Sequence, residues 1–223
     1  MGSGMPGSLR AVPSPGPRPT GTTPHPLWQG RGMLRRPAPD DLTEVATRLV
    51  DRLRAEGATV ATAESLTGGR LATALTAVPG ASAVYRGGAV TYATDLKVSL
   101  LGVPQELVDE HGVVSADCAA AMAGGARRVA GATYALATTG VAGPDAQEGR
   151  PVGTVFVGVA GPEVTSVLSL ELAGTRAQIQ ESTCREALLG LLVHLDQEAA
   201  AGPGEPHDDA DPGDLRVEQN PLR

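Results

Sequence analysis

The central region of the chain opens with apolar residues three or four positions apart, the spacing that places side chains on one face of a helix. They are Leu42, Val45, Ala46, Leu49, Val50 and Leu53. Asp41 and Glu44 match a capping box in front of this face, and Gly57 matches the glycine that ends many helices. The pattern predicts an amphipathic helix that ends at Gly57.

A strand, a turn and a second helix follow directly. The run TVATAE is short and rich in β-branched residues, which is typical of a strand, and GRLATALTAV has helical spacing. The residues Ser65 to Gly69, SLTGG, join the two. A strand that leads through a tight turn into a helix is the repeating unit of α/β proteins.

The next segments continue this alternation. AVYRGGAVTYA predicts a strand pair or one bulged strand, interrupted at Gly87 and Gly88. TDLKVSLLG predicts a short helix that is capped by Thr94 and ends at Gly102. PQELVDEHG predicts a further short helix with proline in its first turn. SADCAAAMAGGARRVAG predicts an Ala-rich helix capped by Ser115.

Three strands and a long helix close the region. TYALATTGVAGPDAQEGRP predicts a strand that runs into a long Gly/Pro loop, and VGTVFVGVAG and VTSVLSLEL predict a hairpin. TRAQIQESTCREALLGLLVHLDQEAA predicts the closing helix. Because the hairpin strands are too close in sequence for a parallel crossover, the sheet must be mixed. The sequence predicts one α/β domain of three layers, α/β/α, with a mixed, mostly parallel sheet.

Composition limits this domain to residues 41–200. Nine of the 18 prolines fall in residues 1–40, a segment without apolar periodicity, so we predict a disordered Pro/Gly-rich leader there. Residues 201–223 carry six acidic residues against two arginines and again lack a periodic pattern. They predict a disordered acidic tail.

Charge and cysteine content exclude several classes of protein. A net charge of -7 argues against nucleic acid as a partner, because such proteins present a basic face. The sequence contains no run of 18 apolar residues, so it predicts no membrane span. The two cysteines, Cys118 and Cys184, fall in helical patterns and are too few for a disulfide framework. We therefore expect a cytoplasmic protein without a membrane partner.

The turn Ser65 to Gly69 has two interpretations. In the first, Ser65 or Thr67 caps the helix, and Gly68 and Gly69 let the helix pack closely on the sheet. In the second, Ser65 is a nucleophile at the end of the strand, and the backbone N–H groups of the turn form an oxyanion site. Glu64 is expected to point to the opposite side of the strand, so it is not a candidate base. The turn alone does not decide between these interpretations.

Lys97 is a candidate base because of its rarity. The chain contains 17 arginines and one lysine, so positive charge is otherwise supplied by arginine. Arginine does not lose its proton in proteins, whereas a partly desolvated lysine can. The alternative is a single lysine that remains on an exposed helix without a role. Tyr92, five residues upstream, is a candidate for relaying a proton or positioning substrate, or is a half-buried tyrosine with its hydroxyl in water.

A second candidate ligand loop spans residues 138–150. Loops of this length in compact domains are more often functional than not. Thr139, the backbone from Gly140 to Gly143, and Asp145 are candidates for facing a ligand, and Arg150 is the candidate for a phosphate or carboxylate contact. The alternatives are a solvated connection and a surface ion pair for Arg150.

Five motifs together resemble a known family. TAESLTGG, GGAVTYATDLKVSLLGV, HGVVS, TTGVAGPD and RPVGTVFVGV are similar, in order and spacing, to the CinA C-terminal domain family. The resemblance implies a three-layer α/β/α fold and, for stand-alone members, hydrolysis of nicotinamide mononucleotide to nicotinic acid mononucleotide and ammonia without a metal or other cofactor. It also implies self-association as a homo-oligomer, a dimer or higher.

The resemblance assigns roles to the candidates. It places the reactive serine of A-E-S-x-T-G-G on Ser65 and the lysine and tyrosine of T-Y-x-x-x-x-K on Lys97 and Tyr92. As a hypothesis, neutral Lys97 takes the Ser65 proton, directly or through Tyr92, and N–H groups near Thr67 to Gly69 hold the oxyanion. The full set of predicted substrate-binding residues is Thr67, Gly68, Gly69, Thr139, Gly140, Gly143 and Arg150.

Two departures and two alternatives accompany the resemblance. Leu66 stands where many members have cysteine, and the segment Asp145 to Gly149 is less glycine-rich than in relatives. One alternative function is a non-catalytic nucleotide-binding or interaction module. The other is an amidase that acts on a different small amide.

Overall fold

The computed structural model describes residues 41–201. The predicted leader, 1–40, and the predicted tail, apart from residue 201, lie outside the described residues. The elements in chain order are α1 (Leu42–Glu56), β1 (Val60–Glu64), α2 (Arg70–Thr76), a 3-10 turn (Ala81–Ala83), β2 (Tyr85–Val90), α3 (Thr94–Leu101), α4 (Gln105–His111), α5 (Ala116–Ala130), β3 (Tyr134–Gly140), β4 (Thr154–Ala160), β5 (Thr165–Glu171) and α6 (Arg176–Ala201).

The five strands form one mixed sheet in the order β2-β1-β3-β4-β5. β1 pairs in parallel with β2 and with β3, and β4 pairs in antiparallel fashion with β3 and β5. Four strands therefore run in one direction, and β4 runs in the other. The predicted hairpin is β4–β5, and the predicted fold class is confirmed.

Helices cover both faces of the sheet. Large side chains of one face, such as Leu136 and Val157, pack with α1, α2 and α6. On the other face, alanines of β1 and β3, including Ala63 and Ala137, pack with α3, α4 and α5. The small side chains let α5 approach closely: a Cβ on Gly158 would lie 2.3 Å from the carbonyl oxygen of Ala119. Two separate cores thus produce the three layers.

Most of the predicted helix ends are confirmed, and two caps are wrong. Gly57 and Gly102 both have φ 66° after their helices, and Ser115 Oγ accepts a hydrogen bond from the Cys118 N–H. Asp41 makes no side-chain capping bond. Thr94 is the first residue of α3 rather than its cap, because Ala93 already has the extended backbone of the capping position.

The region around Gly87 forms one bulged strand rather than a strand pair. Val60 pairs with Tyr85 and Ala61 with Gly87, so Arg86 is the extra residue of β2. Beyond this bulge the parallel strands stay in register, and their carboxyl ends meet: the Thr91 N–H donates to the Glu64 carbonyl oxygen at 2.9 Å. The loops after β1, β2 and β3 therefore lie side by side.

Within residues 41–201, none of the helices combines the length and the apolar character needed to cross a bilayer.

Candidate active site

Ser65 and Lys97, 32 residues apart in sequence, meet at the carboxyl ends of the parallel strands. Ser65 directly follows β1, and Lys97 lies in the first turn of α3. Lys97 Nζ lies 3.2 Å from Ser65 Oγ and donates to the Thr91 carbonyl oxygen at 2.6 Å. The two contacts fix the Nζ end of a side chain that is only 1% exposed.

The surroundings of Lys97 favour its neutral form. In the part of the chain that the structure describes, no carboxylate oxygen lies within 4 Å of Nζ. Burial lowers the pKa of Lys97, and the more distant Cys118 and Glu148 oppose this shift only partly. A neutral lysine has a lone pair, and a serine hydroxyl at hydrogen-bond distance can donate to it. The pair can therefore act as nucleophile and general base.

Glu64, not Thr67, caps α2. Its carboxylate is 1% exposed and accepts hydrogen bonds from the N–H groups of Gly69, Leu71 and Ala72 at 2.9, 3.0 and 2.8 Å. This corrects the capping interpretation of the turn, because the carboxylate of Glu64, rather than Ser65 or Thr67, accepts from the N–H groups at the amino end of α2. The expected opposite orientation of Glu64 and Ser65 agrees with these contacts.

Thr67, Gly68 and Gly69 shape the turn but do not line the cavity beside it. Thr67 Oγ1 is buried against Thr138 Oγ1 at 2.7 Å. The Gly68 N–H donates to the Ser65 carbonyl oxygen at 3.2 Å, and the Gly69 N–H donates to Glu64. The predicted oxyanion donors of Gly68 and Gly69 are therefore already used, which corrects that part of the prediction.

A cavity of about 340 Å³ opens beside Ser65 and Lys97. This is the low end of the range of about 300–1,000 Å³ that small-ligand sites occupy. Of the predicted residues, Ser65, Lys97, Tyr92, Gly140, Gly143 and Asp145 line it.

Arg176, not Arg150, lines the cavity. Arg150 is exposed and lies outside the lining. Arg176, the first residue of α6, donates through Nη1 to the Gly143 carbonyl oxygen at 2.6 Å and through Nη2 to the Tyr92 hydroxyl at 2.8 Å. Arg176 was not among the predicted site residues, because the pattern of α6 indicated only a closing helix. The position of an arginine at the start of that helix was the available signal.

Tyr92 contacts Arg176 rather than the reactive pair. Its side chain is 58% exposed, and its hydroxyl has no hydrogen bond to Ser65 or Lys97. Tyr92 was a candidate for proton relay, for substrate positioning or for a half-buried tyrosine with its hydroxyl in water. Its contact with Arg176 gives no direct path to Ser65 or Lys97 and holds the side chain at the cavity wall.

Thr139 anchors the second candidate ligand loop, residues 138–150, without lining the cavity. It is 1% exposed, and its Oγ1 donates to the Val113 carbonyl oxygen at 2.6 Å, so it does not reach the cavity. Glu148 is a second anchor of this loop, because its carboxylate accepts a hydrogen bond from the Val114 N–H at 3.0 Å. The residues between these anchors, Gly140 to Gln147, form one wall of the cavity.

Among residues 41–201, no group of three or more His, Cys, Asp or Glu side chains is placed to hold a metal ion.

Comparison with known proteins identifies relatives over most of the domain. The family model described as CinA C-terminal domain matches residues 42–195. A CinA-like protein of Frankia casuarinae is 56% identical over 131 residues, which is 59% of this chain and 30% of the relative. A CinA-like protein of Geobacter sp. strain M21 is 43% identical over 175 residues, 76% of this chain and 42% of the relative. The chain thus spans less than half the length of these curated relatives.

Solved structures agree in fold over nearly their whole length. The competence damage-inducible protein A (ComA) from Klebsiella pneumoniae is 34% identical with a TM-score of 0.69, covering 70% of this chain and 98% of that chain. The competence/damage inducible protein CihA from Agrobacterium tumefaciens is 38% identical with a TM-score of 0.67, covering 71% and 98%.

Proposed function

This chain belongs to the CinA C-terminal domain family, and we propose that it is a serine–lysine amidase. Its substrate would be nicotinamide mononucleotide, and its products nicotinic acid mononucleotide and ammonia. The observation that carries the chemistry is the contact of 3.2 Å between Ser65 Oγ and the buried Nζ of Lys97. The choice of substrate is supported by the family resemblance.

The reaction would begin with proton transfer from the Ser65 hydroxyl to neutral Lys97. The Ser65 Oγ–carbon bond forms, and the electron pair of the carbonyl π bond moves to the carboxamide oxygen. When this intermediate collapses, the carbon–nitrogen bond breaks and the nitrogen takes the proton from Lys97, so that ammonia leaves. Water then attacks the acyl carbon, gives a proton to Lys97, and releases the acid as Ser65 regains its hydrogen.

Arg176 would hold the phosphate of the substrate. It is the cavity arginine, and a guanidinium donates to phosphate oxygens in a fixed fork geometry. Its present acceptors are an uncharged carbonyl and a hydroxyl, which an anionic phosphate would outcompete. Tyr92, already bonded to Arg176, would set the direction of the guanidinium.

The decisive test is ammonia release from nicotinamide mononucleotide by the wild type and by Ser65→Ala. We expect turnover by the wild type and a loss of about 10³-fold or more in the variant, as for other serine nucleophiles. Ser99→Ala, an exposed serine on α3, is the matched control and should retain full activity. Equal rates for Ser65→Ala and wild type would refute the assignment.

The same assay separates the alternatives. Tight binding of the nucleotide with no ammonia released would favour a non-catalytic binding module. Release from another small amide, dependent on Ser65 and Lys97, would keep the mechanism and change the substrate.

A further inference from the structure

The turn after Ser65 leaves two backbone donors available. Glu64 accepts the N–H groups of Gly69, Leu71 and Ala72, so the amino end of α2 has no donor left for a ligand. The N–H groups of Ser65, Gly68 and Arg70 donate to backbone carbonyls. Within residues 41–201, only the N–H groups of Leu66 and Thr67 in this turn have no acceptor. They directly follow the nucleophile, and Leu66 lines the cavity.

Both free N–H groups belong to peptides whose carbonyls are held. In a planar trans peptide the C=O and N–H bonds point in opposite directions, so holding one aims the other. The Ser65 carbonyl, which shares a peptide with the Leu66 N–H, accepts from Gly68 at 3.2 Å. The Leu66 carbonyl, which shares a peptide with the Thr67 N–H, accepts from Gln180 Nε2 at 2.7 Å.

Gln180 is itself fixed in orientation. It is 9% exposed and lies on α6, one turn after Arg176. Its Oε1 accepts from Arg70 Nε at 3.1 Å. Because arginine only donates and a carbonyl only accepts, these two partners determine which end of the Gln180 amide faces Leu66.

We propose that Gln180 is a positioning residue of the amidase: by holding the Leu66 carbonyl it fixes the backbone of Leu66, whose free N–H at the cavity stabilises the oxyanion. This inference rests on the proposed function. It also gives α6 two roles at the site, since Arg176 reaches the cavity while Gln180 supports the nucleophile turn from behind.

The experiment replaces the donor in two ways, with Gln180→Met and Gln180→Glu. Neither side chain donates to the Leu66 carbonyl at neutral pH, and the second keeps the shape of glutamine. Gln197→Met, the same change at an exposed position of α6, is the control. The measurements are kcat and KM for nicotinamide mononucleotide and the thermal unfolding midpoint of each protein.

An oxyanion donor acts in the transition state, so its loss lowers kcat without weakening substrate binding. Outright loss of a donor costs about 10²–10³ in kcat, and misalignment should cost less, about tenfold to a hundredfold. We expect this fall in both variants that fold, with KM within about twofold of wild type. Unchanged kcat, or a raised KM with kcat intact, would overturn the proposal. If the wild type itself releases no ammonia, it is the proposed function that has failed instead.

Discussion

Two polar clusters lie at opposite ends of the sheet, and they differ in whether a carboxylate accompanies the buried polar group. At the amino end of β3, the Tyr134 hydroxyl donates to Glu198 Oε2 at 2.6 Å, and the buried His194 ring packs edge-on against Tyr134. His194 Nε2 also lies 3.2 Å from Glu198 Oε1. At the carboxyl end, Lys97 is buried without a carboxylate partner in the described part of the chain.

The Tyr134 cluster has the features of a group that supports the fold, and Lys97 has the features of a group that exchanges a proton. Burial, and then the Glu198 carboxylate, raise the pKa of Tyr134, so its hydroxyl keeps the proton that it donates. Lys97 has the opposite circumstance, because burial without a counter-charge lowers its pKa and favours loss of a proton. A paired group stabilises a fold, whereas an unpaired buried base costs stability and gains the ability to accept a proton.

The largest expected effect is on activity, at Lys97. Lys97→Arg keeps the charge but cannot be deprotonated, and Lys97→Met keeps much of the length without a base. Both should lower kcat for ammonia release by about 10²- to 10⁴-fold, the usual contribution of a general base. Circular dichroism would show whether each variant is folded. If Lys97→Arg kept its activity, Lys97 would not be the general base.

The next effect is on stability, at the other cluster. Tyr134→Phe removes the donor to Glu198 and should lower the free energy of unfolding by about 1 kcal/mol, the low end for a lost partner because Glu198 is partly exposed. Urea unfolding measures it, and kcat for ammonia release should not change. A loss of kcat in Tyr134→Phe would mean that the two ends of the sheet are coupled.

The pH dependence of stability tests the lowered pKa of Lys97. The folded pKa of Lys97 lies below its ordinary value of 10.5, so between the two values the unfolded chain holds a proton that the folded chain does not. The free energy of unfolding of the wild type should therefore rise with pH in that window relative to Lys97→Met. The free energies of unfolding of the two proteins, measured in urea, could instead change with pH in the same way up to pH 10.5. That result would contradict a lowered pKa. Activity should fall as pH drops through the folded pKa, because the base becomes protonated.

The smallest expected effect is at Tyr92. Since its exposed hydroxyl contacts Arg176 rather than Ser65 or Lys97, Tyr92→Phe loses one hydrogen bond of about 0.5–1.5 kcal/mol. We expect KM to rise about twofold to tenfold while kcat stays close to wild type. A fall in kcat as large as that of Lys97→Met would instead indicate proton relay through Tyr92.

Much of the fold could be predicted because its signals are local. Apolar spacing, β-branched runs and glycine stops depend on residues within one element, and they located the helices, the strands and the hairpin. The bulge in β2 could only be left as an alternative, since two adjacent glycines permit either a break or a bulge. The asymmetry of the two faces, alanine toward α5 and larger residues toward α6, was not predicted, because it depends on how closely each helix approaches.

The same distinction between local signals and long-range packing applies to the candidate site. Ser65 and Lys97 could be singled out from a turn and from the rarity of lysine, properties that a linear chain carries. That their side chains meet at 3.2 Å required the parallel register of β1 and β2, which brings both loops to one edge. Glu64 as the cap of α2, Arg176 in place of Arg150, and Gln180 behind Leu66 all depend on contacts that only packing creates. Gln180 is 114 residues from Leu66 along the chain, and no local pattern records a contact over that separation.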